Sequence, residues 1–110
     1  MRSSGFWAAI CAAMAIGAGA FGAHAAPVVA AALLKTGSLY QLSHAIAALV
    51  LREKHPRTAF ILLVGSNIFA ISLYALALGA PRWLGAVTPI GGMLMIGGWI
   101  CAAIGFARKG

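Results

Sequence analysis

Where its nine charged side chains stand limits what this chain can fold into. They are Arg2, Lys35, Arg52, Glu53, Lys54, Arg57, Arg82, Arg108 and Lys109. The longer gaps between them are uncharged stretches of 32, 16, 24 and 25 residues. A helix crossing a hydrocarbon core of about 30 Å needs about 20 apolar residues, in a range of about 17–25. Three stretches qualify outright. The fourth, Thr36–Leu51, is short, and Lys35 and Arg52 extend it by snorkelling to the interfaces. The chain therefore reads as an all-α integral membrane protein. It is expected to be one transmembrane domain over residues 1–110, a four-transmembrane-helix bundle with helices over about 5–24, 38–52, 58–79 and 88–107.

Composition closes off the alternatives. Apolar residues make up 63% and charged residues 8%, against about a quarter charged in soluble domains. A soluble surface cannot be built from so few charges, and disorder requires low hydrophobicity. Glu53 is the single acid, so general acid–base work by paired carboxylates has no pair to use.

The helix boundaries have local causes. Pro27 suits the first turn of a new helix better than the interior of an old one. Pro27–Leu34 is accordingly expected to be a short interfacial helix between helices 1 and 2, ended by Gly37. The alternative is one helix from Val28 to Leu51, which leaves Lys35 unpartnered in an apolar helix. Pro56 disfavours helix at His55, Ala80-Pro81-Arg82-Trp83 closes helix 3, and Thr88-Pro89 supplies an N-cap followed by proline. Trp7, Trp83 and Trp99 fall near proposed helix ends, where an indole is favoured.

With four spans, the side holding both termini and the middle loop carries Arg2, Arg52, Lys54, Arg57, Arg108 and Lys109; the other carries Lys35 and Arg82. Six against two predicts cytoplasmic termini. The net charge of +7 is thus a topology signal and an attraction to anionic lipid; no nucleic-acid partner is expected. Arg2, the apolar run and Ala23-His24-Ala25 imitate a secretory signal with its cleavage site; the segment is read as a retained first helix. Small residues spaced by four, Ala9/Ala13/Gly17 on helix 1 and Gly97/Cys101/Gly105 on helix 4, suggest that these two helices pack closely. Cys11 and Cys101 are read as small core hydrophobes rather than a redox pair.

Polar groups inside a membrane are costly, so each is a candidate functional residue. His24 ends helix 1. Tyr40, Gln41 and His44 share one face of helix 2. Asn67, Ser72 and Tyr74 lie on helix 3, and Thr88 opens helix 4. All but the deeper Asn67 are expected in the outer half of the membrane. The cluster reads either as a hydrogen-bonded core fixing helix register or as a ligand site. His24 and His44 are weak candidates for holding a metal or the axial positions of a haem, zinc would want further ligands, and Tyr and His groups could hold a quinone. No cofactor is expected. Proton-coupled transport lacks an intramembrane acid.

Five segments occur in order along nearly the whole chain: Gly19-Ala20-Phe21-Gly22-Ala23-His24, Tyr40-Gln41-Leu42-Ser43-His44-Ala45, Ser72-Leu73-Tyr74-Ala75-Leu76-Ala77-Leu78, Thr88-Pro89-Ile90-Gly91-Gly92 and Gly98-Trp99. Together they resemble the YgdD-like family of small inner-membrane proteins, the domain-of-unknown-function family 423, which is related to an animal transmembrane protein family. The resemblance implies four membrane helices and a bacterial inner (plasma) membrane location. It implies no established activity and hence no catalytic residue. The chain departs from the family pattern at Ile71, where a glycine is usual, and in its Ala-rich, acid-free segment after His24.

The expected function is a non-enzymatic accessory or assembly subunit of a larger membrane complex. Its partners would be the lipid bilayer and either another membrane protein or further copies of itself. The alternatives are a haem-, metal- or quinone-binding protein using the outer cluster, and an oligomeric transporter.

Overall fold

In a computed structural model, which describes residues 2–109, the chain forms α1 (Arg2–His24), α2 (Val28–Leu51), α3 (Pro56–Ala77) and α4 (Thr88–Lys109). A 3₁₀ turn over Arg82–Ala86 precedes α4. The bundle measures 47 × 25 × 20 Å. Among the described residues three segments are long and apolar enough to cross a membrane: Ser3–His24, Pro56–Ala77 and Arg82–Arg108. The 24-residue α2 has the length, about 36 Å, but carries the polar set that lowers its hydropathy.

The break expected between an interfacial helix and helix 2 does not occur. Residues Val28–Leu51 form one uninterrupted helix, started by Pro27 in extended conformation. The objection to it is Lys35, which is exposed at the start of the third turn of α2. Side chains on a helix tilt toward its N-terminus, so from about 11 Å along α2 the Lys35 stem reaches back toward the near end. The expected cost is therefore small. Gly37 does not end the helix; its backbone is where Tyr74 approaches, and a Cβ there would stand 2.6 Å from the Tyr74 ring.

α2 and α3 are the central pair. α1 lies along α2 and only grazes α3, while α4 lies along α3. Among the described residues α1 and α4 do not pack on one another, contrary to the expectation from their small-residue rows. The close crossing is between α3 and α4. A Cβ on Gly65 would lie 2.8 Å from Leu94 Cβ and 3.0 Å from the Gly91 carbonyl, and one on Gly91 would strike the Phe69 and Gly65 backbones. Two helices that touch through backbone at this point gain dispersion over their whole length, which replaces the hydrophobic effect in lipid. Elsewhere the core is Ala8, Cys11, Ala45, Ala48, Leu51, Ala59, Leu62 and Leu63.

α3 ends earlier than the sequence suggested, at Ala77. Gly79 takes a φ of +98°, a left-handed conformation costly for any residue with a Cβ. The Gly79 N–H donates to the Leu76 carbonyl and the Ala80 N–H to Ala75, the paired bonds of a Schellman motif. Thr88 is not the N-cap of α4: it lies within the helix, and its hydroxyl is turned to Ser72.

Candidate functional site

The polar residues sort into three groups, each with its own partners. The central one is a chain of bonds tying α1, α2 and α3 together. Tyr74 donates its O–H to Gln41 Oε1 at 2.7 Å. Gln41 Nε2 donates to Asn67 Oδ1 at 3.0 Å and to Met14 Sδ at 3.3 Å. The Cys11 thiol donates to the same Asn67 oxygen at 3.3 Å, using its second lone pair. Asn67 Nδ2 donates to the Leu63 carbonyl at 2.7 Å. Gln41 is 0% exposed, and an amide so placed with any group unpaired would be costly. Here both ends are satisfied.

The second group joins α2 to α4. Trp99 Nε1–H donates to His44 Nε2 at 2.9 Å, and His44 Nδ1 lies 2.8 Å from the Tyr40 carbonyl. A carbonyl can only accept and an indole N–H can only donate. The pair of contacts therefore fixes His44 as the neutral tautomer with its proton on Nδ1. Ser43 Oγ, 3.1 Å from that nitrogen, donates to the Tyr40 carbonyl as well. The Tyr40 ring meets Phe69 edge-on at 5.0 Å. The third group is the Ser72–Thr88 hydroxyl pair, which fastens α3 to the start of α4; Ser72 also donates to the Phe69 carbonyl at 2.8 Å.

His24 joins none of these. It is exposed at the end of α1. Gly22 faces Leu34 and Gly19 faces Ser38, so this register puts His24 roughly twelve residues from His44 along α2, about 18 Å at the helical rise. One metal ion or one haem cannot take both. The His44 ring nitrogens are in any case engaged by Tyr40 and Trp99. Among the described residues no three His, Cys, Asp or Glu side chains form a metal-holding group.

The expected depth also changes. With α2 running unbroken from Val28, Gln41 and His44 are its fourteenth and seventeenth residues of 24, at mid-helix rather than in an outer half. Trp99, expected near a helix end, stands at the middle of α4. Cys11 and Cys101 are not paired: the first is buried and the second exposed. Three members of the network were not singled out from the sequence as such, namely Met14, Cys11 and Trp99. Nothing local marks them, since each is an ordinary apolar-helix residue until a partner from another helix faces it.

Among the described residues every buried side-chain nitrogen and oxygen has a hydrogen-bond partner. The polar core is thus closed upon itself. What is open lies beside it. Because α1 only grazes α3, a groove of about 800 Å³ runs between them, walled by Trp7, Ile10 and Met14 on one side and Phe60, Ile68 and Ile71 on the other, with Leu84 and Val87 at the far end.

The chain matches the family described as protein of unknown function DUF423 over residues 18–92. It belongs to that family. It is 37% identical to the UPF0382 membrane protein SSP2132 of Staphylococcus saprophyticus, over 84% of this chain and 86% of the relative. It is 35% identical to the UPF0382 membrane protein SH2409 of Staphylococcus haemolyticus, over 87% and 88%. It is 34% identical to the UPF0382 inner membrane protein YgdD of Escherichia coli K12, over 94% and 91%. No solved structure matches. The DUF423 chain is therefore a membrane protein of a family without an assigned activity, as the motif segments implied.

Proposed function

We propose that this DUF423 protein crosses the bacterial inner membrane four times, with both termini in the cytoplasm, and works without catalysis as an accessory or assembly subunit. One observation carries the reading: the faces suited to close helix approach point away from the bundle. Ala9, Ala13 and Gly17 are exposed on α1, as are Gly97 and Cys101 on α4. Nothing lies within 4 Å of a Cβ added at Gly17 or Gly97. In lipid, such small-residue rows let a second helix pack backbone to backbone. The polar core, with its groups mutually satisfied, serves to hold α1 and α4 in position on the α2·α3 pair. The relative from Escherichia coli is called an inner membrane protein, which supports the location. The cation count across the loops supports the orientation.

The test is extraction from native membranes in mild detergent, followed by size-exclusion and mass analysis. The wild-type chain is expected in an assembly larger than its own 11.2 kDa, containing another membrane protein or further copies. Gly17→Leu and Gly97→Leu are expected to remain helical and leave that assembly. A small homogeneous species for the wild type overturns the reading, as does an assembly indifferent to both variants. Orientation has a separate test. A cysteine replacing Lys54, labelled by an impermeant reagent in intact cells while one replacing Lys35 is not, would reverse it.

A further inference from the structure

The groove between α1 and α3 is built for something other than a helix. Its walls carry large, flexible side chains, Trp7, Ile10, Met14, Phe60, Ile68 and Ile71, where a docking helix needs small ones. The small-residue faces of α1 and α4 do not line it. The wall on α3 runs from Phe60 to Ala75, about 22 Å at the helical rise, and half a hydrocarbon core is about 15 Å. That length suits one hydrocarbon chain held extended.

At one mouth the groove meets a second recess of about 550 Å³, lined by Pro56, Arg57, Phe60 and Ile61. Phe60 lines both. A cation stands at this mouth. Arg57 lines the recess and is exposed; Lys54 is exposed two residues after Arg52. The Arg52 guanidinium instead lies against Gly5, on the face of α1 turned away from Ser3, Trp7 and Met14, which line the groove. The single acid, Glu53, forms no ion pair among the described residues, so the positive charge here is not neutralised by the chain itself. An arginine fork beside an apolar channel is the arrangement that a phosphate on a long hydrocarbon recruits.

We propose that the α1/α3 groove is an anionic phospholipid site, with one acyl chain laid along the groove and the phosphate at Arg57. Its occupant fills the space that α1, by touching α3 so little, leaves open. The site is independent of the partner faces and stands or falls separately from the accessory-subunit reading.

Native mass spectrometry of the full chain tests it, after release from detergent holding equal phosphatidylglycerol and phosphatidylcholine of identical acyl chains. One retained phosphatidylglycerol per chain is expected, at least tenfold over phosphatidylcholine. Arg57→Gln, which removes an exposed guanidinium, is expected to bring that preference near parity. Ile68→Trp, filling the groove, is expected to lower retention of both lipids, and Phe60→Ala at the mouth gives a second reading if Ile68→Trp fails to fold. Equal retention of the two lipids by the wild type overturns the proposal. So does retention unaffected by Ile68→Trp and Phe60→Ala, or a groove protected by a second copy of the chain rather than by lipid.

Discussion

Substituting Gly91 by alanine probes the crossing on which the bundle is built. A Cβ there would stand 2.5 Å from the Gly65 carbonyl oxygen and 2.9 Å from Phe69 Cα, about 1 Å short of ordinary contact. Both atoms are backbone, so no rotamer can relieve the clash; α3 and α4 must part. A gap approaching 1 Å forfeits about a quarter to a half of each dispersion contact along the seam, and overpacking of this kind costs about 1–3 kcal/mol, occasionally more. We take about 3 kcal/mol. Alanine is the better helix former by about 1 kcal/mol, which leaves a net loss of about 2 kcal/mol, close to 30-fold in the folding equilibrium. Gly97→Ala is the control on the same helix. It meets nothing within 4 Å and should gain up to about 1 kcal/mol. The assay is loss of helical circular dichroism as the detergent-solubilised chain is titrated with sodium dodecyl sulfate. Gly91→Ala and Gly97→Ala agreeing to within about 0.5 kcal/mol, the ordinary scatter of independent sites, would refute the α3/α4 crossing and the reasoning built on it.

The same titration checks two further expectations. Gln41→Leu removes the bonds to both Tyr74 and Asn67 and should cost about 1–4 kcal/mol, at about 0.6–2 per intramembrane bond. Tyr74→Phe should cost less, and the double variant less than the sum of the two; strict additivity would mean that the two side chains do not meet. His44→Ala should destabilise the chain, since it strands the Trp99 indole N–H, and Trp99→Phe should do so by a similar amount, about 1 kcal/mol for one bond. His24→Ala should leave the midpoint unchanged. A loss at His24 matching that at His44 would return the two histidines to one site.

Much of the candidate site was legible residue by residue. Gln41, Asn67 and Tyr74 stood out because an amide or phenol in a membrane helix must find a partner, and they found each other. His44 stood out for the same reason, and its partner Trp99 did not, because an indole in an apolar helix reads equally well as an interfacial anchor. His24 was grouped with His44 because a helix 2 starting at residue 38 would bring the two to one level. The unbroken α2 moves His44 inward by nearly three turns and leaves His24 exposed at the end of α1.

The sequence by itself determined the class of the protein, because hydrocarbon admits only segments whose backbone is satisfied internally, and the charge spacing marks where those segments end. It also determined the shared face of Gln41 and His44 and the presence of a break between the third and fourth helices, through helical periodicity, proline and glycine, all of which act within a few residues. Only the tertiary structure decided which small residues touch. The row Ala9/Ala13/Gly17 has the spacing that predicts close approach and faces outward, while Gly65 and Gly91, single glycines on two different helices, are where two backbones meet. The continuity of α2 likewise lies beyond its own sequence, with α1 and α3 packed along it. Close packing, hydrogen-bond partnership and the open α1/α3 groove are properties of pairs of helices, and no single helix carries them in its own sequence.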